Sequence, residues 1–421
     1  MDGFTPFSRI SFLGGKSFHG LPAFIFTTER VTIMEKILLN LALILATTKA
    51  GGFLSRKAKM PEVLGALLAG VVIGPVCLNL VQYDDGIKLL SNLGVIFLMF
   101  LAGLETDLEQ FRKAGKSSFV IAVLGILVPL FLGTLSASLF YSNLIENIFV
   151  GVILTATSVS ITVETLTELG KLNTKAGVNI LGAAVIDDIL GLVLISALLS
   201  VSGGGGGASV ISKMTGIVLF CAVGILAIVF VPKFLRSRVK EFQPSQTFFT
   251  LTLSVVLLVA FLAENLGIAA ITGAYLCGLL FSQFRHKEYL ERNVKAISSG
   301  FLSPIFFASV GLEASLNGFG GREVLITLVM FLVAVVGKVV GCGAGARLFQ
   351  MGRRESLQIG VGMISRGEVA LITANIGLQA HIITQEVFIP TILVVLLTTI
   401  VTPIFLKLTF SHRNRDVRRA E

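Results

Sequence analysis

Tryptophan is absent from the 421 residues, cysteine, histidine and tyrosine occur four times each, and only 14% of the chain is charged. A soluble domain of this length carries roughly 25% charged residues, so most of this surface does not face water. Cys77, Cys221, Cys277 and Cys342 all fall in apolar stretches without CxxC spacing. They read as small core residues, not as disulfides or metal ligands. His19, His286, His381 and His412 lie too far apart in sequence to suggest a zinc or iron site. Residues 1–33 lack the continuous apolar core of a signal peptide, and Met34 directly precedes the first long apolar run. They are expected to be an upstream extension outside the membrane domain, which spans 34–411 and is followed by a short tail over 412–421.

What the chain has in quantity is apolar sequence: 54% of it is hydrophobic, and the mean hydropathy is +0.89. A membrane-crossing helix needs about 20 mostly apolar residues. Segments 36–54, 61–80, 87–105, 117–141, 147–170, 177–201, 209–235, 246–265, 267–283, 297–313, 323–349, 354–378 and 387–410 qualify, which predicts an all-α membrane protein of about 13 spans. The loop charges provide an independent check. Loops after odd-numbered spans carry Arg56, Lys57 and Lys59, then Arg112, Lys113 and Lys116, and the series continues to the tail arginines. Loops after even-numbered spans carry only Lys88, Lys213 and Arg322. The positive-inside rule then places the C-terminus in the cytoplasm and the N-terminus outside, as expected of a multi-pass inner or plasma membrane protein. The net charge of +9 therefore belongs to loops at a lipid bilayer and implies no nucleic acid partner. The glycine run Gly203 to Gly207 reads as a flexible external loop.

Thirteen spans divide into six, one linker and six. An offset of seven pairs helices of opposite direction, the condition for an inverted repeat, and would match span five with twelve and six with thirteen.

Charges in mid-span are costly and mark function by default. Asp187 and Asp188 lie about ten residues into span six, near the midplane. Neighbouring carboxylates cannot both ionise cheaply, a property suited to exchanging protons for a cation. Lys338 is mid-span in helix eleven, and either aspartate could pair with it. Gly337, Gly341 and Gly345 give small-xxx-small spacings that permit close helix approach. Span five contains Thr155-Ala-Thr157-Ser158-Val-Ser160-Ile-Thr162, and span twelve contains Gly360-Val-Gly362-Met-Ile-Ser365-Arg366-Gly367-Glu368. Both read as places where a helix breaks and frees carbonyls for a cation. The blander readings are hydroxyls bonding back to the i−4 carbonyl and glycines used for packing. Glu164, Arg366 and Glu368 are further intramembrane charges, expected to be structural, with a Glu164–Arg366 salt bridge. Glu264 is expected at an external boundary.

Thr-Ala-Thr-Ser-Val-Ser-Ile-Thr, Val-Ile-Asp187-Asp188-Ile-Leu-Gly, Lys338, and Ser-Arg366-Gly-Glu368-Val-Ala-Leu-Ile resemble, in this order, the electrogenic branch of the cation:proton antiporters, and most closely the NapA-type sodium/proton antiporters. The resemblance covers essentially Met34 to the last span. It implies a homodimer with a dimerisation panel, a six-helix core carrying two broken crossing helices, and elevator-like movement of core against panel. It also implies alternating-access exchange of Na+ (or Li+ or K+) for protons, with no cofactor and no enzymatic step. By motif, Asp188 is the carrier of Na+ and protons, Asp187 pairs with Lys338 in the empty site, and Thr157 and Ser158 lie at the crossing. Kef-type potassium efflux proteins, the main alternative, usually have Gln before the aspartate, and electroneutral relatives usually have Asn. The Asp-Asp pair argues against both, and the tail after Phe410 is too short for a Kef nucleotide-sensing domain. An intramembrane aspartyl protease needs two aspartates facing each other across a scissile bond, whereas neighbours on one helix point about 100° apart.

Overall fold

The computed structural model describes residues 33–201, 207–235, 245–266, 268–313 and 320–411; their regular structure is entirely helical. The N-terminal extension through residue 32, Gly203–Gly206 and the 412–421 tail lie outside the described residues. In chain order the helices are α1 (Ile33–Lys57), α2 (Glu62–Ile73), α3 (Asp85–Glu105), α4 (Leu108–Ala137), α5 (Leu144–Ile153), α6 (Val159–Glu168), α7 (Lys175–Val201) and α8 (Gly207–Leu235). They continue as α9 (Gln246–Asn265), α10 (Ala270–Phe281), α11 (Lys287–Ile297), α12 (Ser303–Leu312), α13 (Gly321–Leu348), α14 (Arg353–Gly362), α15 (Glu368–Gln379) and α16 (Gln385–Ser411).

Several starts follow from capping side chains, which satisfy N–H groups that have no partner within the helix. Asp84 accepts from Ile87 N at 2.9 Å and opens α3, and Asn143 accepts from Ile145 N at 2.9 Å and opens α5. Asp107 opens α4 by accepting from Gln110 N at 3.2 Å and Glu109 N at 2.9 Å. These bonds, that from Gln110 first, hold its carboxyl below the usual carboxylate range. Gly170, at φ 63°, takes the left-handed position that ends α6.

Among the described residues, eight helical stretches are long and apolar enough to cross a bilayer, one of them running from Lys287 to Leu312. Segment 209–235 is the 29-residue α8, and several other expected segments are shorter or interrupted. Segment 61–80 contracts to the 12-residue α2, because Gly74 is extended (φ −79°, ψ −177°) ahead of Pro75, which disfavours helical backbone before it. Cys77, expected in a core, consequently lies in the exposed turn that follows, whereas Cys277 and Cys342 are buried. Segment 267–283 contracts to the 12-residue α10. Segment 297–313 is reached from α11 through a π-helical turn, Ser298–Leu302, into α12. Segments 147–170 and 354–378 are each two short helices, α5–α6 and α14–α15.

The pattern of packing repeats between the two halves of the chain. α1 lies on α2 as α9 lies on α10, α3 lies on α10 as α12 lies on α2, and α4 contacts α5 and α7 as α13 contacts α14 and α16. This is the arrangement an inverted repeat produces. Two bundles result. A panel gathers α1, α2, α3, α9, α10 and α12; a core gathers α4 to α7 and α13 to α16; α8 touches both, through α10 and α7. The α4–α13 contact at the centre of the core depends on the expected glycines. A Cβ at Gly341 would lie 2.4 Å from the Leu124 carbonyl oxygen, one at Gly345 would lie 2.8 Å from Ile121 Cα, and one at Gly337 would lie 3.0 Å from Pro129 Cα.

Candidate functional site

The two helix breaks meet in the core. Ser158 N donates to the Ser365 carbonyl at 2.8 Å, and Ser365 Oγ donates back to the Ser158 carbonyl at 2.5 Å. Thr162 Oγ1 donates to the Gly362 carbonyl at 2.7 Å. A Cβ on Gly367 would come within 2.6 Å of Ser158 Oγ, so only glycine permits this approach. The C-terminal ends of α5 and α14 and the N-terminal ends of α6 and α15 therefore converge, bringing partial charges of both signs together. Neither N-terminus has a side-chain cap.

Lys338 is 0% exposed and Asp187 3% exposed. The ammonium donates to Asp187 Oδ1 and Oδ2, both at 3.2 Å. Two charges at this depth are tolerable only as a hydrogen-bonded pair. Thr157 Oγ1 is turned toward the Asp187 carboxylate without reaching hydrogen-bonding geometry, and the buried Ser158 and Ser160 hydroxyls have no hydrogen-bonding partner in the described protein. These oxygens are suited to meeting a desolvated cation. Asp188, 6% exposed, points the other way, into a cleft of about 10 Å³ between the bundles. Met99, Val159, Leu181, Val185, Ile271 and Tyr275 form its walls. Thr272, on α10 of the panel, donates from Oγ1 to Asp188 Oδ2 at 3.2 Å.

Arg366 departs from expectation. Its guanidinium, 1% exposed, makes no salt bridge with Glu164. It donates to carbonyls: from Nη2 to Leu154 at 2.6 Å and to Ala334 at 3.2 Å, and from Nη1 to Ile364. Leu154 is the C-cap of α5, so the cation sits where the helix dipole is negative. The backbone of Arg366 is held by Thr398, which accepts from its N–H at 3.2 Å, and by Thr399, which donates to its carbonyl at 2.6 Å. Glu164 instead lines a cavity of about 270 Å³ between panel and core, along with Glu62, Glu105, Glu168 and Lys295. This cavity lies at the end of the molecule where the cationic loops gather. Glu368 is the first residue of α15, after its N-cap Gly367, but its side chain lies outside the described set. Glu264 is exposed near the end of α9.

Sequence reasoning missed Thr272, Tyr275 and Glu168. A lone hydroxyl in an apolar run raises no alarm, and Glu168 lies at a span boundary where a carboxylate is ordinary. A usable signal existed for Thr272. Interior threonines here bond back one turn, as Thr165 does to Ile161 and Thr391 to Val387. Thr272 stands in the first turn of α10, where the residue four back, Ile268, precedes the helix and offers no such carbonyl in register.

Residues 41–412 match the family described as "Sodium/hydrogen exchanger, transmembrane". The chain belongs to that family. Among curated relatives of this exchanger, the Na(+)/H(+)-K(+) antiporter GerN of Bacillus cereus is 37% identical over 91% of this chain and 98% of its own length. The Na(+)/H(+) antiporter of Enterococcus hirae is 38% identical over 87% and 96%. The solved sodium proton antiporter MjNhaP1 of Methanocaldococcus jannaschii superposes with a TM-score of 0.67 at 17% identity, covering 91% of this exchanger and 99% of that chain. That similarity bears on the fold alone.

Proposed function

We propose that this chain is a secondary antiporter that exchanges sodium for protons by alternating access, with Asp188 carrying either ion in turn. The observation that carries the reading is the position of Asp188: a carboxylate on the core, beside a buried lysine–aspartate pair and two helix breaks, aimed into the seam with the panel. A group there can be presented to one side of the membrane and then the other when the core slides on the panel. The names of the Bacillus cereus and Enterococcus hirae relatives support sodium as the cation.

The empty site holds Lys338 protonated on Asp187. A cation arriving at Asp188 draws on the same carboxylates and on the Thr157 and Ser158 oxygens, which weakens the Lys338–Asp187 pair. A lysine left buried without a full partner releases its proton. One cation then exchanges for two protons, one from Asp188 and one from Lys338, and net charge moves. The protein functions as a homodimer through its panel, in the cell membrane, with its cationic loops and C-terminus in the cytoplasm.

The test is transport by purified protein in liposomes under sodium, lithium and potassium gradients, recording internal pH and membrane potential together. Sodium-driven proton movement that alters the potential is the expected result. The apparent cation KM should rise about tenfold per pH unit below the pKa of the shared site, because a protonated carboxyl binds a cation poorly. A KM that stays flat across that range contradicts a shared site, and cation flux without proton movement points to a channel or efflux protein.

A further inference from the structure

Asp188 is held by the panel as well as by its own helix. Thr272 is 2% exposed, and its hydroxyl reaches Asp188 Oδ2 at 3.2 Å across the seam between bundles. The rest of the cleft is apolar apart from Tyr275, whose hydroxyl pairs with Thr106 Oγ1 at 3.3 Å inside the panel. The other charged groups near the site, Asp187 and Lys338, are engaged with each other on the core side. Thr272 thus supplies a panel hydroxyl bonded directly to the proposed carrier. The first-turn position of this residue favours that role: α10 begins at Ala270, so the residue four back, Ile268, precedes the helix, and the Ala269 carbonyl already accepts the Thr272 N–H at 3.0 Å.

We infer that Thr272 is a positioning residue that holds the unloaded, ionised carrier against the panel and so enforces coupling; this rests on the reading of Asp188 as the carrier. The chemistry discriminates between states. A hydroxyl donates more strongly to a carboxylate than to a neutral acid, and more strongly to a bare carboxylate than to one whose charge a cation has neutralised. Sliding the core breaks this bond whatever the state of Asp188, but breaking it is hardest when Asp188 is charged and empty. The loaded forms, with proton or with cation, are released more readily. An antiporter requires that ordering, because return of an empty carrier turns exchange into downhill cation leak. The same bond competes with the cation for Oδ2, so it also weakens cation binding.

Thr272→Val keeps the shape and removes the donor. In proteoliposomes its apparent sodium KM should fall several-fold, up to about tenfold for the loss of one charge-assisted hydrogen bond. Protons moved per sodium should also fall, with sodium running down its gradient at alkaline pH. Thr272→Ser should restore both values. If the valine variant does not fold, Thr272→Ala removes the same donor and serves in its place. Wild-type KM and wild-type coupling in a hydroxyl-free variant overturn the inference. Asp188→Asn run alongside separates the two ideas. If that variant still exchanges, the carrier assignment fails; if it is silent while the hydroxyl-free variant behaves as wild type, only the role of Thr272 fails.

Discussion

The two halves of the repeat share a backbone plan and divide the chemistry between them. In the first half the ten-residue α5 stops, a short extended stretch follows, and Ser158 opens α6. In the second half the ten-residue α14 stops and Gly367 opens α15. The residue before each opening differs most. It is Thr157 in the first break, facing Asp187, and Arg366 in the second, bound to the carbonyls of Leu154, Ile364 and Ala334. The acids Asp187 and Asp188 belong to the first half, and the bases Lys338 and Arg366 to the second. Among the described residues, each half alone would bury charge of one sign. Their meeting at the crossing makes both tolerable, since a buried charge is stable only with its partner or with oriented dipoles. Symmetry thus builds the fold, and the departure from symmetry supplies the opposite charges of the proposed ion site.

Substitutions that remove one side of this balance test it most directly. Asp188→Asn removes the acid that faces the panel; sodium-driven proton flux in liposomes should vanish while the protein still folds and purifies as a stable membrane protein. Substantial exchange by this variant would falsify the assignment of the carrier.

Lys338→Gln removes the base of the pair and leaves Asp187 buried alone, which should cost about 3–5 kcal/mol in stability. Adding Asp187→Asn should recover part of that loss, read as melting temperature in detergent. The same single variant sharpens the stoichiometry. Under an imposed potential, its transport should respond weakly or not at all, because the second proton is gone. An unchanged response confines the lysine to a structural role.

Arg366→Ala leaves the Leu154 and Ile364 carbonyls, at the ends of α5 and α14, without their donor, and a loss of about 3 kcal/mol is expected from orphaned buried acceptors. Arg366→Lys should recover less than half, since one ammonium cannot reproduce the planar fork. Full recovery by lysine would mean that charge alone matters at the crossing.

The smallest effect belongs to the rim. Glu168, at the end of α6 in the core, accepts from Glu62 N at 2.6 Å and Val63 N at 2.9 Å. It therefore caps α2 of the panel, whose own N-cap, Pro61, offers no side-chain hydrogen bond. Glu168→Ala should cost about 1 kcal/mol, the usual value of a helix cap. It should leave the cation KM unchanged, in contrast to Thr272 variants, because this contact lies far from the carrier.

Much of this was legible from residue order. Apolar runs and loop lysines located the helices, because burial in lipid imposes a length and a charge rule that local sequence cannot evade. The breaks were visible as hydroxyl and glycine clusters within apolar helices, and the cost of lone charge at depth paired Lys338 with one of the two aspartates, the family resemblance pointing to Asp187. The lengths of α2 and α10 were less legible. Apolar sequence continues through Gly74 and Pro75, and hydropathy does not register where a backbone turns.

Sequence by itself determined the helical architecture, the depth of the acids and bases, and the repeat that brings them together, since each depends on polarity and spacing along the chain. Tertiary structure alone decided the partners. Arg366 turned from Glu164 to the carbonyls of Leu154, Ile364 and Ala334 because the α5 end lies within reach of its fork. Asp188 met Thr272, and Glu168 met the start of α2, across a seam between bundles. Hydrogen bonds act over about 3 Å, so which groups find each other depends on how two rigid bundles dock, and no local pattern in the chain encodes that distance.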